Sequence, residues 1–401
     1  MAERWRPAWA GIDLDAVRHN AALLRRLVGP AELCAVVKAD GYGHGALPVA
    51  RASLEGGATL LAVALVEEGV TLRDAGIEAP ILLLSEPPAR AMDEAVARRL
   101  VPTVYTEGGV EALGHAAGRQ CSSPVDVHLK IDTGMHRVGA DLADALQLAG
   151  SIADDPHLNL GAVWTHLAVA DGDSPGDRAF TVEQLERFDA TVATLAASGH
   201  RPPMTNTANS AGAIGVVQAR RDLVRCGIAL YGVAPTPALA DVLEKATDGQ
   251  QLRPALSLCT EVTYVRDLEA GERPSYGRQR PLAERSTVAT APVGYADGVP
   301  RRLFDVGGEV LIGGIRRPLA GVVTMDQIMV DCGPVGSAPV AVGDEVVLLG
   351  RQGSESIAAT EWADLLGTIS YEVLCDIGPR VPRLVTGERP GPPSEPTARA
   401  T

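Results

Sequence analysis

A lysine at the end of a short apolar run is the residue of this chain best suited to covalent chemistry. The run Leu33–Val37 predicts a buried strand, and Lys38 follows it directly, before a segment in which three glycines alternate with Tyr42 and His44. Catalytic groups of parallel α/β folds collect at the carboxyl ends of strands. A partly desolvated lysine has a lowered pKa and can form a Schiff base with a carbonyl compound, and glycines let the backbone approach an anion closely. On composition alone, a solvent-exposed lysine before a glycine-rich turn is the simpler interpretation.

A second lysine, Lys130, lies on a predicted strand with one apolar face. Strand alternation places Asp126, His128 and Lys130 on the face opposite the apolar residues. If the apolar face meets the surrounding helices, Lys130 points into the protein interior, where a buried ammonium is costly unless it is neutralised. An ion pair with Asp126 or Asp132 would neutralise it.

Other polar residues stand at predicted element ends, and each signal is weak when taken alone. His166 ends the run that begins at Trp164, and a single histidine is more often a core residue than a catalytic one. Ser210 opens a predicted helix, whose free N–H groups bind phosphate, but Asn209 before it is equally consistent with a plain helix cap. Tyr276 lies in a Pro- and Gly-containing turn, where a tyrosine that covers a sheet is the simpler interpretation.

The elements that must position these residues alternate between strand and helix from Ile12 to about Tyr231. The pattern predicts helices over 14–27, 66–75, 142–152 and 181–198, and strands over 59–64, 81–84, 125–131 and 158–164. Such alternation indicates right-handed βαβ units and a parallel sheet, and eight units over ~250 residues close as a barrel.

The pattern changes after a Pro- and Ala-rich stretch over 232–251, which is typical of a linker. Beyond it, short apolar runs separated by Gly and Pro predict an all-β domain. We therefore predict an α/β chain. Residues 1–245 form an N-terminal (β/α)8 TIM-like barrel with a short lead-in, residues 246–386 form a C-terminal mainly-β domain, and residues 387–401 form a disordered tail.

Composition excludes several function classes. The formal net charge of −14 and the pI near 5.1 predict an anionic surface, so neither nucleic acid nor a membrane is an expected partner. The six cysteines show no close pairing and no metal-ligand spacing, which favours reduced thiols, a cytoplasmic location and no bound metal. The chain start has no signal-peptide pattern, and no apolar run approaches the ~20 residues of a membrane span.

The segment from Lys38 to Gly45, Lys-Ala-Asp-Gly-Tyr-Gly-His-Gly, resembles the cofactor-lysine signature of the alanine racemases, fold type III enzymes that depend on pyridoxal 5′-phosphate (PLP). The resemblance extends from about Ile12 to Arg383. Further similar segments follow in the family's order, over 126–137, 164–166, 225–232, 274–277, 293–298, 321–327 and 368–375.

The resemblance implies roles around PLP. Lys38 would hold the cofactor covalently, His166 would lie beside its ring, and Arg225 would meet its pyridine nitrogen and keep that nitrogen unprotonated. The cofactor phosphate would be held by the remaining cofactor-binding residues, which are Tyr42, Ser210, Gly227, Ile228 and Tyr371.

The resemblance also implies roles around the substrate. Tyr276 would be the second base, supplied by the partner subunit, so that a homodimer with shared active sites is expected. Lys130 would be carbamylated and would orient Arg137, which holds the substrate carboxylate. Met325 would close the site with its backbone N–H, and two further residues, Tyr295 at the entrance and Asp326, would support it. The chain departs from the family pattern in one loop, where Val322 and Thr324 replace the usual arginine and cysteine.

The implied function is that of an isomerase: a PLP-dependent, two-base alanine racemase that supplies D-alanine for peptidoglycan. A racemase for serine or for a broader range of amino acids is the alternative. An apolar pocket discriminates between a methyl and a hydroxymethyl group by only ~1 to 3 kcal/mol of binding free energy. A non-catalytic PLP carrier would lack the β domain. An amino acid decarboxylase would share both domains but not the sequence motifs around Lys38 and Arg225.

Overall fold

The computed structural model describes residues 5–120 and 123–388, and within them it contains the predicted barrel and β domain. In chain order the strands are β1 (Ala8–Asp13), β2 (Glu32–Val36), β3 (Leu60–Val63), β4 (Ile81–Leu83), β5 (Thr103–Val104), β6 (Val125–Lys130), β7 (Leu158–Trp164), β8 (Met204–Asn206), β9 (Leu223–Cys226), β10 (Leu256–Glu261), β11 (Tyr264–Leu268), β12 (Ser286–Ala291), β13 (Glu309–Ile312), β14 (Ile315–Pro318), β15 (Ile328–Pro334), β16 (Glu345–Gln352), β17 (Glu355–Ile357) and β18 (Arg383–Thr386).

Helical elements alternate with the barrel strands, and two more precede β18. In chain order they are α1 (Leu14–Leu27), α2 (Lys38–Tyr42), α3 (Ala46–Glu55), α4 (Val66–Asp74), α5 (Met92–Ala97), α6 (Glu107–Gln120), α7 (Ala145–Asp154), α8 (Pro175–Ala197), α9 (Ser210–Gly215), α10 (Pro237–Ala246), α11 (Ala359–Leu366) and α12 (Ser370–Cys375). Helix α1 has the predicted bounds because Asp13 caps its first turn, where its side chain accepts the N–H groups of Asp15 and Ala16.

The barrel is an eight-stranded parallel sheet in the order β4-β3-β2-β9-β8-β7-β6-β5. A parallel bridge between Leu82 and Val101 joins its two ends and closes the ring. Apolar side chains of the strands, such as Val127 and Leu129, are fully buried. Every strand is parallel to its neighbours, so all their carboxyl ends lie at one rim. The predicted fold class is confirmed.

The β domain contains two sheets. The larger has the order β14-β13-β16-β10-β1-β18, with β17 paired to β16, and the smaller has the order β11-β12-β15. Strand β1, which the sequence pattern did not predict, pairs antiparallel with β10 and parallel with β18, so that Ala10 lies between Leu258 and Arg383. The start of the chain is therefore part of the β-domain sheet.

The stretch predicted as a linker over 232–251 contains helix α10. Thr236 caps this helix by accepting the N–H of Leu239, and Pro237 occupies its first turn, where a missing N–H costs nothing. The domain bounds given above stay a prediction. Of the predicted disordered tail, residues 389–401 lie outside the described part of the chain.

Two further properties concern the whole of the described chain. Five cysteines there are free, and four of them are buried, namely Cys34, Cys226, Cys259 and Cys332. A search of the described residues finds no helix with the length and apolar character needed to cross a membrane.

Candidate active site

A cavity of about 700 Å³ opens at the rim formed by the carboxyl ends of the barrel strands. Its volume lies in the range of small-molecule and cofactor sites. Most residues predicted to carry chemistry line it together: Lys38, Tyr42, Lys130, Arg137, His166, Ser210, Arg225, Gly227, Ile228 and Tyr371.

Lys38 begins a turn with a rare backbone conformation. After Lys38, the non-glycine residues Ala39 (φ 52°), Asp40 (φ 50°) and Tyr42 (φ 50°) are all left-handed. Each such residue costs roughly 1 to 2 kcal/mol, so the surroundings must hold the turn. A ring nitrogen of His44 lies 2.8 Å from the carbonyl oxygen of Tyr42, and the Asp40 carboxylate accepts a backbone N–H from the next helix.

Tyr42 is held by a second tyrosine and closely approaches a glycine. Its ring stacks on Tyr231 with 4.7 Å between centroids, and the Tyr231 hydroxyl donates to the carbonyl of Val36 at the end of β2. A Cβ atom at Gly227 would lie 2.4 Å from the Tyr42 hydroxyl, so only glycine fits there. The N–H of Gly227 donates to the Ser210 hydroxyl at 2.9 Å. Both hydroxyl groups therefore lie close to Gly227, which directly follows β9.

Arg225 is buried and its hydrogen-bond directions are fixed. It donates to the side chain of Asn206, to the carbonyl of Thr165 at 2.9 Å and to Nδ1 of His166 at 3.3 Å, and it lies 4.4 Å from the Trp164 ring centre. Burial lowers the pKa of Arg225 to about 10, which leaves it a cation near neutral pH. Burial and then the charge of Arg225 hold the pKa of His166 well below its usual range. His166 is therefore neutral and can accept from Arg225.

Lys130 lies 4.5 Å above the ring of Trp164. Burial, reinforced by the charges of Arg225 and Arg137, lowers the pKa of Lys130 to about 7. The ion pair that the sequence left open does not form: within the described residues, neither Asp126 nor Asp132 makes a salt bridge to Lys130.

The residues around the cavity fit PLP by the chemistry of their donors. Two lysines and two arginines converge there. Burial is the largest cause that lowers the pKa of Lys38 and of Lys130, and the positive charge of Arg137 lowers both further. An anion is needed to relieve this repulsion, and a phosphate or a carboxylate would supply it. Hydroxyl groups at Tyr42 and Ser210 add neutral donors, and Lys38 supplies an amine for an aldehyde.

The remaining predicted residues lie on the β domain and do not line this cavity. Tyr276 is 71% exposed, Met325 is 52% exposed and Tyr295 is 42% exposed. Asp326 accepts a hydrogen bond of 2.7 Å from Arg380. Their own chain does not bring these side chains to Lys38.

These β-domain residues nevertheless form one ordered surface. The N–H groups of Tyr295 and Ala296 donate to the carbonyls of Thr324 and Met325, which joins the two loops. Before Tyr276, Ser275 has φ 72° and donates to the carbonyl of Val322 at 2.6 Å. The exposed Tyr276 therefore projects from a loop that is hydrogen-bonded to the neighbouring loop through Ser275.

Sequence reasoning missed residues that support the cavity. Asn206 and Trp164 fix Arg225, and Tyr231 fixes Tyr42. Asn206 and Trp164 are the last residues of β8 and β7, so their position at a strand end was an available signal. Among the described residues no group of three or more His, Cys, Asp or Glu side chains could hold a metal ion.

Comparison with known proteins gives one family for both parts of the chain. Residues 12–235 match the model of the alanine racemase N-terminal domain, and residues 255–385 match that of the C-terminal domain. The chain is 48% identical to the alanine racemase of Symbiobacterium thermophilum over 384 residues, which cover 96% of this chain and 98% of that protein. It is 39% identical to that of Nostoc sp. over 380 residues, which cover 94% and 95%.

Solved structures agree with these matches. A crystal structure of alanine racemase from Bacillus anthracis with bound L-Ala-P has a TM-score of 0.87 at 36% identity, covering 96% of each chain. The biosynthetic alanine racemase from Pseudomonas aeruginosa has a TM-score of 0.81 at 34% identity, covering 95% of this chain and 99% of that one.

Proposed function

This chain belongs to the alanine racemase family, and from that premise we propose how its residues interconvert L-alanine and D-alanine with PLP as the cofactor. When bound, PLP acidifies the Cα–H bond of the amino acid attached to it. The observation that carries the proposal is that Lys38 lines a cavity in which cations and hydroxyl groups converge.

Two bases on opposite faces of Cα are the physical requirement for inversion without turning the substrate over. Lys38 holds PLP and exchanges a proton at Cα on one face, and burial lowers the pKa of Lys38 toward the range in which an amine can act as a base. The Tyr276 hydroxyl exchanges a proton on the other face. The reverse reaction exchanges the two roles.

The cofactor is held at its two ends. The hydroxyl groups of the phosphate site and the backbone of the 227–228 turn bind the phosphate, with the hydroxyls supplied by Tyr42, Ser210 and Tyr371. Arg225, which is held by its hydrogen bonds to Thr165 and His166, would donate to the pyridine nitrogen, and His166 would lie beside the ring. Because the Arg225 guanidinium keeps its proton, that nitrogen stays unprotonated and racemisation is favoured over side reactions.

Arg137 binds the substrate carboxylate, and Lys130 orients Arg137. Burial and neighbouring cations lower the pKa of Lys130 to about 7, so a large fraction is neutral and can react with carbon dioxide. The addition of carbon dioxide releases one proton to the solvent and leaves a carbamate anion, which would remove the repulsion from Arg137 and accept its hydrogen bonds.

The second base comes from another copy of the chain. Tyr276 and Met325 are exposed and face no cofactor site of their own chain. In a head-to-tail homodimer they reach the partner's cavity, where Tyr276 meets Cα and the N–H of Met325, supported by Asp326 and Tyr295, closes the site. The dimer is then catalytic as well as structural.

The composition allows a direct test of the cofactor lysine, because the chain has only three lysines, Lys38, Lys130 and Lys245. Borohydride reduction of the holoenzyme fixes PLP to the lysine that holds it, and peptide mass spectrometry identifies that lysine. Lys38→Ala should abolish the attachment and lower racemisation by more than about 1,000-fold. The exposed Lys245→Ala is the matched control and should retain both. PLP fixed to Lys130 or Lys245 would refute the proposal.

A further inference from the structure

Glu68 is a half-buried carboxylate between two loops at the rim of the barrel. One oxygen accepts the N–H groups of Ala64 at 2.8 Å and Leu65 at 3.1 Å, which caps helix α4. The other oxygen accepts the N–H of Ala39 at 2.6 Å, in the loop that follows a different strand. The first pair is an ordinary helix cap, but the third bond reaches the residue next to Lys38.

The bond to Ala39 supports the least favourable part of the backbone near the cofactor site. Ala39 is left-handed, with φ 52° and ψ 51°, and no side chain caps the turn from its own N-terminal residue, Val37. A charged acceptor makes a stronger hydrogen bond to a backbone N–H than a neutral one does. Glu68 therefore helps to offset the roughly 1 to 2 kcal/mol cost of this conformation and fixes where Lys38 leaves the strand.

The charge of Glu68 also acts on the Lys38 amine. Burial lowers the pKa of Lys38 most, and the cation Arg137 lowers it further. Glu68 and the Cys375 thiol oppose them, and Glu68 is the larger of the two effects that raise this pKa. Besides these three groups, Lys130 and His166 on the neighbouring barrel strands also interact electrostatically with Lys38.

We propose that Glu68 is a positioning residue for Lys38, which holds the lysine's backbone through Ala39 and places a negative charge near its amine. The proposal rests on the role of Lys38 as the cofactor lysine. Glu68 contacts neither cofactor nor substrate in the proposed site. It acts through the geometry and the charge environment of its neighbour.

Two variants separate geometry from charge. Glu68→Ala removes both acceptor oxygens and the charge, whereas Glu68→Gln removes the charge and keeps one acceptor oxygen, with an NH2 group in place of the other. Glu67→Gln is the matched control, because it removes the same charge from the exposed preceding residue of α4. Each holoenzyme is diluted to measure the rate of PLP release, and its visible absorbance is titrated against pH to find the midpoint at which the Lys38 nitrogen gains a proton.

We expect Glu68→Ala to release PLP about 10-fold faster or more, the size of a lost hydrogen bond to a charged group. Glu68→Gln should shift the absorbance midpoint to lower pH, because a neutral amide does not stabilise a positive charge on the Lys38 nitrogen. Glu67→Gln should match the unmodified protein in both measurements.

An unshifted midpoint in Glu68→Gln overturns the proposal, even if Glu68→Ala fails to fold. A release rate in Glu68→Ala equal to that of Glu67→Gln overturns it too. Borohydride mapping keeps this result apart from the proposed function. PLP on Lys38 with unchanged release refutes the role of Glu68 alone, whereas PLP on Lys130 or Lys245 refutes the role of Lys38.

Discussion

The barrel cavity and the exposed β-domain loops are both held by hydrogen bonds within the chain, but they differ in what surrounds their reactive groups. Arg225 in the cavity is buried and hydrogen-bonded to Asn206 and Thr165, and Lys38 begins a turn that is fixed on several sides. On the β domain, Tyr276 is 71% exposed although the loop behind it is held by Ser275. The barrel cavity, called the enclosed half below, is surrounded by its own chain. The β-domain loop that carries Tyr276, called the displayed half, is exposed on the surface of that chain.

Under the proposed function, these two regions are the two halves of one active site. The enclosed half can hold a cofactor because burial and hydrogen bonds set the charge states and positions of its side chains before any ligand binds. The displayed half has an ordered backbone but nothing in its own chain for its side chains to act on. In the proposed homodimer, a second copy of the chain supplies what each half lacks.

Removing the hydroxyl of the displayed half should have the largest effect. If Tyr276 is the base on one face only, Tyr276→Phe should slow proton abstraction from one alanine enantiomer by about 100-fold or more and from the other much less. Exchange of the Cα hydrogen into deuterated water, followed over a single turnover for each enantiomer, measures both rates.

The control for this variant is Tyr264→Phe, because Tyr264 is also exposed on the β domain, at 54%. It should leave both exchange rates unchanged. Equal losses for the two enantiomers in Tyr276→Phe would argue against a base on one face and would remove the functional distinction between the two regions.

Acid should affect the enclosed half before the displayed one. Burial lowers the pKa of His44 and of His128 to about 4, against about 6.5 in an unfolded chain. Below pH 6.5 the unfolded chain therefore binds protons that the folded barrel does not, and stability falls toward pH 4. At pH 5.5 the two histidines together cost about 3 kcal/mol of unfolding free energy.

The β domain provides the internal control, since all eight histidines precede residue 201. Hydrogen exchange at pH 7.5 and pH 5.5, corrected for intrinsic rates, should show lost protection in β2 and β6 first. An equal or earlier loss in β12 and β15 would contradict the assigned cause.

A smaller effect is expected from the hydroxyl that joins Tyr231 to the end of β2. Tyr231→Phe keeps the ring stacked on Tyr42 but leaves the buried carbonyl of Val36 without this donor. The unfolding free energy should fall by about 1 to 3 kcal/mol. Urea denaturation measures it, with Tyr264→Phe as the exposed control, and a loss no greater than in that control would show that the hydroxyl does not support the strand.

Local signals were enough to predict much of the enclosed half. The bounds of α1 and β7 agree with the predicted ranges, because caps and apolar periodicity lie within each segment. The strand-end positions of Lys38 and His166 followed from the same patterns. Their convergence on one cavity follows from the parallel sheet, which brings all the carboxyl ends to one rim.

Long-range features could not be predicted in this way. Strand β1 is stabilised by pairing with β10 and β18, which lie hundreds of residues away in the chain. The left-handed conformation at Ala39 depends on a carboxylate from another helix, and glycine patterns gave no sign of it. Helix α10 was missed because its proline was taken as a linker signal, although it begins the helix.

The most direct test of the central claim is complementation between two inactive chains. Lys38→Ala lacks the enclosed base and Tyr276→Phe lacks the displayed one, so a mixed dimer contains one site with both groups and one with neither. After denaturation and joint refolding, random pairing predicts that roughly a quarter of the unmodified activity returns. Confirmed mixed dimers with no more activity than their parents would contradict a site shared between two chains.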